Sequence, residues 1–425
     1  MPPADRRPID ERLRDAGLPS LPRTAWLEID LDALAGNLAV VRQLAGPGVR
    51  VEPVVKADAY GHGAVPVARA LEAAGADGFS VATIDEAVVL RRAGIRGPIL
   101  VLFPVPPELA AEAARRGIAL TAGDPELLTR LLARFAADRD EGFVGRKALH
   151  VQLEVETGLG RGGFAVDELA GVVGTIRGTP GVKLDGLWSH LAAPADTSRT
   201  GDQRRRLDAA LAGLADGGVG MGPSHLAASG GLLAGVTTYG AVRPGLAIYG
   251  LVPDDIVDSP AAKGHAASLR PVMSLRARPV RVADLPAGWG VSYGPTFETQ
   301  RPSRIATLPL GYGDGWPRAL SNRAEVLVRG IRVPLVGTVA MDAIMADVTD
   351  VPGPPVGVDD EFTLIGDDGG ERITALDLAR SRASISWEVV TAMSGRLPRV
   401  YHAAAGVAGL RTLAHGVTAW HPSTP

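Results

Sequence analysis

Between Val51 and about Leu251 the chain repeats one cadence: a short apolar run, a helix-sized amphipathic segment rich in Ala, Leu, Glu and Arg, then an apolar run again. Strands joined by helical crossovers run parallel, because a tight hairpin always reverses the chain. Eight runs fit the strand template: VEPVVKA, FSVAT, PILVLF, IALTA, ALHVQLEVET, VKLDGLWSHL, PSHLAAS and GLAIYGL. Eight strands in roughly 200 residues is the count of a (β/α)8 TIM-type barrel. The earlier run WLEID, Trp26–Asp30, precedes this count and is expected to pair outside the barrel.

After a linker over about Leu251–Arg270 the texture changes. VMSLRARPVRV, SRIATLPLGYG, AEVLVRGIRVPLVG, AIMADVTD and EFTLIG are β-rich runs broken by Gly, Pro and Asp, with little helical periodicity between them. The expected organisation is therefore a flexible N-terminal extension over residues 1–22, a barrel over 23–255 and a mainly β C-terminal domain over 268–415.

Composition narrows the chemistry. A formal net charge of -3 and the lack of any Lys/Arg run argue against nucleic acid as a partner. Zero cysteines remove disulfides, thiolate nucleophiles and cysteine-zinc sites together. The eight histidines show no H-x-x-x-H or H-x-H spacing, so no metal is expected. The N-terminus has no apolar signal region and no apolar run approaches the roughly 18 residues of a membrane span, so a cytoplasmic protein without membrane association is expected.

A barrel places its working groups at the C-terminal ends of its strands. Lys56, Arg161, His190 and Ser229 stand at such ends, and His225 lies in the seventh run. From position alone Lys56 is either a solvated strand terminus or a nucleophile. GLGRGG, Gly158–Gly163, fits the dinucleotide fingerprint G-x-G-x-x-G, with Asp185 about 20 residues on. That fingerprint belongs to the first βα turn of its domain, whereas this one follows four earlier units. Arg161 inside the turn reads better as a bidentate clamp for a carboxylate. In the β domain, Tyr293 in WGVSYGPTF and Tyr312 in PLGYGDGWP lie in glycine-containing turns.

Together the words AWLEIDLDAL, VVKADAYGHG, ATIDEA, ETGLGRGGF, WSHLAAPAD, VRPGLAIYGL, VSYGPTF, GYGDGW, GTVAMDAIMADV and LPRVY resemble those of the alanine racemases, barrel enzymes dependent on pyridoxal 5'-phosphate (PLP). The resemblance implies interconversion of L- and D-alanine by two bases, supplying D-alanine for peptidoglycan. It makes Lys56 the cofactor's anchor and one base, and Tyr293, contributed by the second copy of a homodimer with shared active sites, the other. His190, Arg243 and His225 would form a supporting network, with Arg243 facing the pyridine nitrogen. Tyr60, Ser229, Tyr401 and the backbone N–H groups of Gly245 and Leu246 would hold the phosphate. The substrate carboxylate would meet Arg161 and the backbone of Met341, with Tyr312 narrowing the entrance. Three positions depart from the pattern: Glu154 stands where many members carry a lysine, often carbamylated, Ala228 replaces an amide residue, and Trp188 a smaller or phenolic one. Glu154 is expected to pair with Arg161 without modification. A broader-specificity amino-acid racemase and a NAD-binding oxidoreductase resting on GLGRGG are the alternative readings.

Overall fold

The computed structural model of the chain describes residues 7–218 and 222–418. It divides into two compact units, one formed by residues 35–59 and 67–269 and the other by the described parts of 1–34, 60–66 and 270–425.

In the first unit eight strands run β2 (Arg50–Val51), β3 (Phe79–Val81), β4 (Ile99–Val101), β5 (Ala119–Ala122), β6 (Leu149–Glu154), β7 (Val182–Trp188), β8 (His225–Ala228) and β9 (Ala241–Arg243). All pair in parallel in the order β2-β9-β8-β7-β6-β5-β4-β3. A parallel bridge between Val54 and Ser80 joins the chain just beyond β2 to β3, so the two ends of the sheet meet and the barrel closes. Local chemistry starts the intervening helices. Thr83 and Glu86 form a reciprocal capping box on Ile84–Arg92, and Asp124 caps Pro125–Asp140 by accepting from Leu127 N at 2.8 Å.

The eighth barrel strand is not GLAIYGL. The strand is Ala241–Arg243, and Leu246–Tyr249 is a 3-10 turn ended by Gly250 in the left-handed region. Pro244 lacks the N–H that would extend the ladder, so the strand stops at three residues and the more apolar run beyond it turns. The segment expected as linker carries a helix, Pro260–Ala266, capped by Ser259.

The second unit is built on a sheet ordered β14-β13-β16-β10-β1-β18-β19-β20, where β1 is Ala25–Asp30, β10 Met273–Ala277, β13 Glu325–Val328, β14 Ile331–Pro334, β16 Phe362–Asp368, β18 Arg399–Ala403, β19 Gly406–Thr412 and β20 Gly416–Thr418. β11 (Arg281–Leu285), β12 (Ser303–Leu308) and β15 (Ile344–Asp347) form a smaller sheet. β1 lies at the centre of the larger one, antiparallel to β10 and parallel to β18. Residues 1–6 of the expected flexible extension lie outside the described residues. Ile9–Asp15, however, is a helix rather than loose chain: Ile9, Leu13 and Leu18 are buried against Trp26, Val400 and Leu410. Burying each such side chain is worth about 1.5–3 kcal/mol, which offsets the ordering of a short helix.

Arg12 of this helix donates to Glu28 Oε1 at 2.7 Å, and Trp26 Nε1 donates to the same oxygen at 3.1 Å. Burial alone would raise the Glu28 carboxyl, but the positive charges of His402, Arg12 and Arg276 outweigh it and hold the group at about 2. A folded-state pKa below the unfolded value contributes stability above the unfolded value and loses it as pH falls through about 2. Glu28→Gln is expected to lower unfolding free energy by about 3 kcal/mol at pH 7 because it strips a buried arginine of its counter-charge. Denaturant titrations at pH 7 and pH 3 check this, and equal stabilities of the two proteins at pH 7 would refute it.

Candidate active site

The chain leaves the β2 edge of the barrel through Val54 and Val55, whose N–H groups donate to Pro244 O at 2.8 Å and Ser80 O at 2.9 Å. Lys56 follows at once. Beyond it Ala57, Asp58, Ala59 and Tyr60 all hold φ between 52° and 55°, a left-handed turn of four non-glycine residues. Each costs roughly 1–2 kcal/mol relative to the right-handed region. The turn is pinned where it begins, because the Glu86 carboxylate accepts from Ala57 N at 2.6 Å and from Ala82 N at 2.8 Å. Strain held in place by specific bonds beside a lysine is a mark of a working site.

The barrel unit brings Lys56, Arg161, His190 and Arg243 within electrostatic reach of one another. Burial lowers the Lys56 pKa from its ordinary value, Arg161 and Arg243 lower it further, and only Glu86 opposes them. Burial, followed by Arg243, Arg161 and Lys56, pushes His190 down to about 3, so its ring is neutral at physiological pH. Arg243 is completely enclosed. Its Nη2 donates to Ser189 O at 2.8 Å, its Nη1 donates to His225 Nδ1, and its guanidinium lies 4.6 Å above the Trp188 ring. Burial lowers it to about 10, which still leaves it charged. His225 opens β8, stacks on Trp188 at 6.1 Å, and meets Gln152 Oε1 through Nε2 at 2.7 Å.

Ser229 begins a short turn of helix after β8, and its Oγ accepts from Gly245 N at 2.9 Å and Ala247 N at 3.1 Å. The Leu246 N–H between them belongs to a buried residue and has no partner among the described residues. Buried backbone donors are nearly always satisfied, so this one is open to an anionic ligand.

Arg161 donates to Glu154 Oε1 at 3.0 Å and lies 5.4 Å from the centre of the Phe103 ring. The expected Glu154–Arg161 pair is therefore present. GLGRGG does not cradle a phosphate: Glu156 accepts from Gly158 N, from Leu159 N at 2.8 Å and from Gly160 N at 2.8 Å, and Gly163 N donates to Gly123 O. With those amides occupied by a carboxylate, the dinucleotide reading loses its physical basis.

The other expected residues belong to the second unit. Tyr401 on β18 is fully buried and donates to His62 O at 3.1 Å, and Tyr60 is buried, its phenol pushed up to about 12 by burial. His62 itself is enclosed, with Nδ1 2.9 Å from Tyr60 O, in keeping with a local structural role. Tyr312 and Met341 share a knot of backbone bonds, Tyr312 N to Ala340 O at 3.1 Å and Gly313 N to Met341 O at 2.9 Å, and both side chains are about half exposed. Asp342 accepts from Arg396 beside that knot. Tyr293 is 75% exposed.

Sequence reading passed over Gln152, Glu86, Glu156 and Ser189. Gln152 carried a usable signal, since it stands two residues before Glu154 in an apolar strand and so shares its face. Ser189 acts through its carbonyl, which no side-chain pattern marks.

Residues 29–253 match the family model "Alanine racemase, N-terminal domain", and residues 272–401 match "Alanine racemase, C-terminal domain". An alanine racemase of Symbiobacterium thermophilum is 42% identical over 382 residues, covering 89% of this chain and 97% of that protein. One of Desulfovibrio desulfuricans is 39% identical over 385 residues, covering 90% and 99%. Among solved structures, the alanine racemase of Bacillus anthracis with bound L-Ala-P superposes with a TM-score of 0.84 at 34% identity, covering 93% of this chain and 99% of that one. That of D-cycloserine-producing Streptomyces lavendulae gives 0.80 at 36% identity, covering 90% and 98%. The strained lysine turn, the enclosed Arg243–His225 pair and both matched domains lead to one assignment: the chain belongs to the alanine racemase family.

Proposed function

We propose that this chain interconverts L- and D-alanine with PLP as its cofactor, acts as a homodimer in the cytoplasm, and supplies D-alanine for peptidoglycan. The observation that carries the reading is Lys56, the one partly buried lysine among the described residues, the other three being exposed, set in a cationic pocket that favours its neutral form. Bound PLP supplies a sink for the electron pair left when the α-proton departs.

The residues present fit that group. Lys56 anchors it, and the open Leu246 N–H and the Ser229 hydroxyl, whose oxygen only accepts within the chain, offer neutral donors suited to a phosphate dianion, which the Gly245 N–H, Tyr60 and Tyr401 join by exchanging their present partners for it. Arg243 can only donate to a ring nitrogen and cannot protonate it, because a guanidinium keeps its charge at any working pH. Arg161, oriented by Glu154, binds the substrate carboxylate with the Met341 backbone, and Tyr312 limits side-chain size. Lys56 moves the α-proton on one face. Tyr293 of the second copy moves it on the other, with His190 kept neutral in the network that supports it.

The test is direct. Purified protein with PLP should destroy the optical activity of L-alanine faster than that of L-serine or larger amino acids; no change with L-alanine overturns the reading, and equal rates across the panel favour a broad-specificity racemase.

Glu154→Gln is expected to raise the KM for alanine roughly tenfold with kcat little changed, the pattern of lost uniform binding. Initial rates over a range of alanine concentrations check it. An unchanged KM would remove the orienting role assigned to Glu154.

A further inference from the structure

We propose that Gln152 is a positioning residue for racemisation: its side-chain oxygen holds His225 as the neutral Nε2–H form and thereby fixes the direction of the Arg243 guanidinium. The proposal rests on the racemase reading and deepens it.

A guanidinium only donates. Arg243 Nη1 meets His225 Nδ1, so Nδ1 is an acceptor and carries no proton. A neutral imidazole has a single N–H, which must then sit on Nε2, the nitrogen 2.7 Å from Gln152 Oε1. Gln152 must therefore present its oxygen here, because its amide nitrogen would set donor against donor. The alternation is complete: Arg243 donates to His225, and His225 donates to Gln152.

Burial makes this alternation matter. Arg243, His225 and Gln152 are 2%, 0% and 8% exposed, so an unmatched donor between Arg243 and His225 has no water to turn to. The Trp188 ring, only 8° from parallel with His225 and beneath Arg243, covers one face of each group. At its far end the row reaches a cavity of about 280 Å³ lined by Gln152 together with Arg50, Glu52 and Asp185. The charges that reach Arg243 are Glu52, Glu154 and Arg161.

The identity of residue 152 follows from the same logic. A carboxylate there would accept from Nε2 equally well but would draw a second proton onto the ring. The resulting Nδ1–H faces a guanidinium that can only donate, and two buried cations repel each other. A neutral acceptor satisfies Nε2–H without inviting that proton. Gln152 keeps His225 uncharged by being an amide.

The experiment uses the full-length protein labelled with 15N-histidine, with the His225 signals identified by their loss in His225→Gln. In the wild type, with and without PLP, one ring nitrogen should be protonated and Nδ1 unprotonated from pH 6 to pH 9. Gln152→Glu should show both nitrogens protonated at pH 7, with kcat for L-alanine lowered roughly tenfold and KM within about twofold. Gln152→Met, which removes the acceptor without adding charge, should leave the ring neutral and lower kcat less. A wild-type ring protonated at Nδ1 would overturn the proposal while leaving the racemase reading intact, as would Gln152→Glu with unchanged ring protonation and kcat. A wild type that shows the expected ring but fails to racemise L-alanine would overturn the racemase reading, and with it the catalytic role of Gln152.

Discussion

Lys56→Ala is expected to abolish racemisation of alanine in both directions, lowering kcat by about 10³-fold or more, since it removes a proton carrier and the cofactor's anchor at once. The chain has only four lysines, and the other three, Lys147, Lys183 and Lys263, are exposed. None can take over. Borohydride reduction of the wild type with PLP, followed by peptide mass spectrometry, should place the cofactor's mass on the Lys56 peptide alone. The pH profile gives a second reading of the same residue. Burial and Arg161 lower the Lys56 pKa, so the neutral amine persists to more acidic pH than the roughly 10.4 of a free lysine would allow. Activity should therefore rise with pH along a limb displaced to the acid side of that value. Small primary amines should restore part of the Lys56→Ala activity. Full activity in Lys56→Ala, or a cofactor mass on another lysine, would refute the assignment.

What could be read in advance followed the physical rules that act locally. The barrel was legible because a parallel strand buried on both faces must be apolar and its crossover must be an amphipathic helix. The eighth strand was misplaced because Ala241–Arg243 is three residues long and carries an arginine, while the neighbouring LAIY is more apolar and nevertheless turns. Propensity has little to say about a strand whose place is set by the barrel's closure. The helix at Ile9–Asp15 was hidden for a related reason: its partners Val400 and Leu410 lie nearly 400 residues away in sequence, and only the folded sheet brings them together. Lys56, Arg161 and Glu154 were legible by motif, and the contact of Glu154, at the end of β6, with Arg161 in the turn beyond it by the charge that Glu154 brings to a position where the family often has a carbamylated lysine. The role of Gln152 was not, since it depends on which nitrogen of His225 faces Arg243 across three strands.

Tyr293→Phe should separate the two faces of the reaction. The substitution removes one hydroxyl from a side chain that is 75% exposed and leaves the ring, so folding should be unaffected. Racemisation should fall by roughly 10²–10³-fold. With Lys56 intact, one enantiomer of alanine should still exchange its α-proton in heavy water without inverting, while the other should not. Symmetric loss of exchange from both enantiomers would contradict a base on each face. The same variant tests whether the tyrosine comes from a second copy. If each site joins Lys56 of one chain to Tyr293 of the other, a hybrid of Lys56→Ala and Tyr293→Phe chains has one site lacking both groups and one site with both. An equal mixture, reassembled at random, places hybrids in half of the dimers and should recover about a quarter of wild-type activity. If both groups act within a single chain, no mixture of the two inactive variants can recover any, because neither chain carries the complete pair.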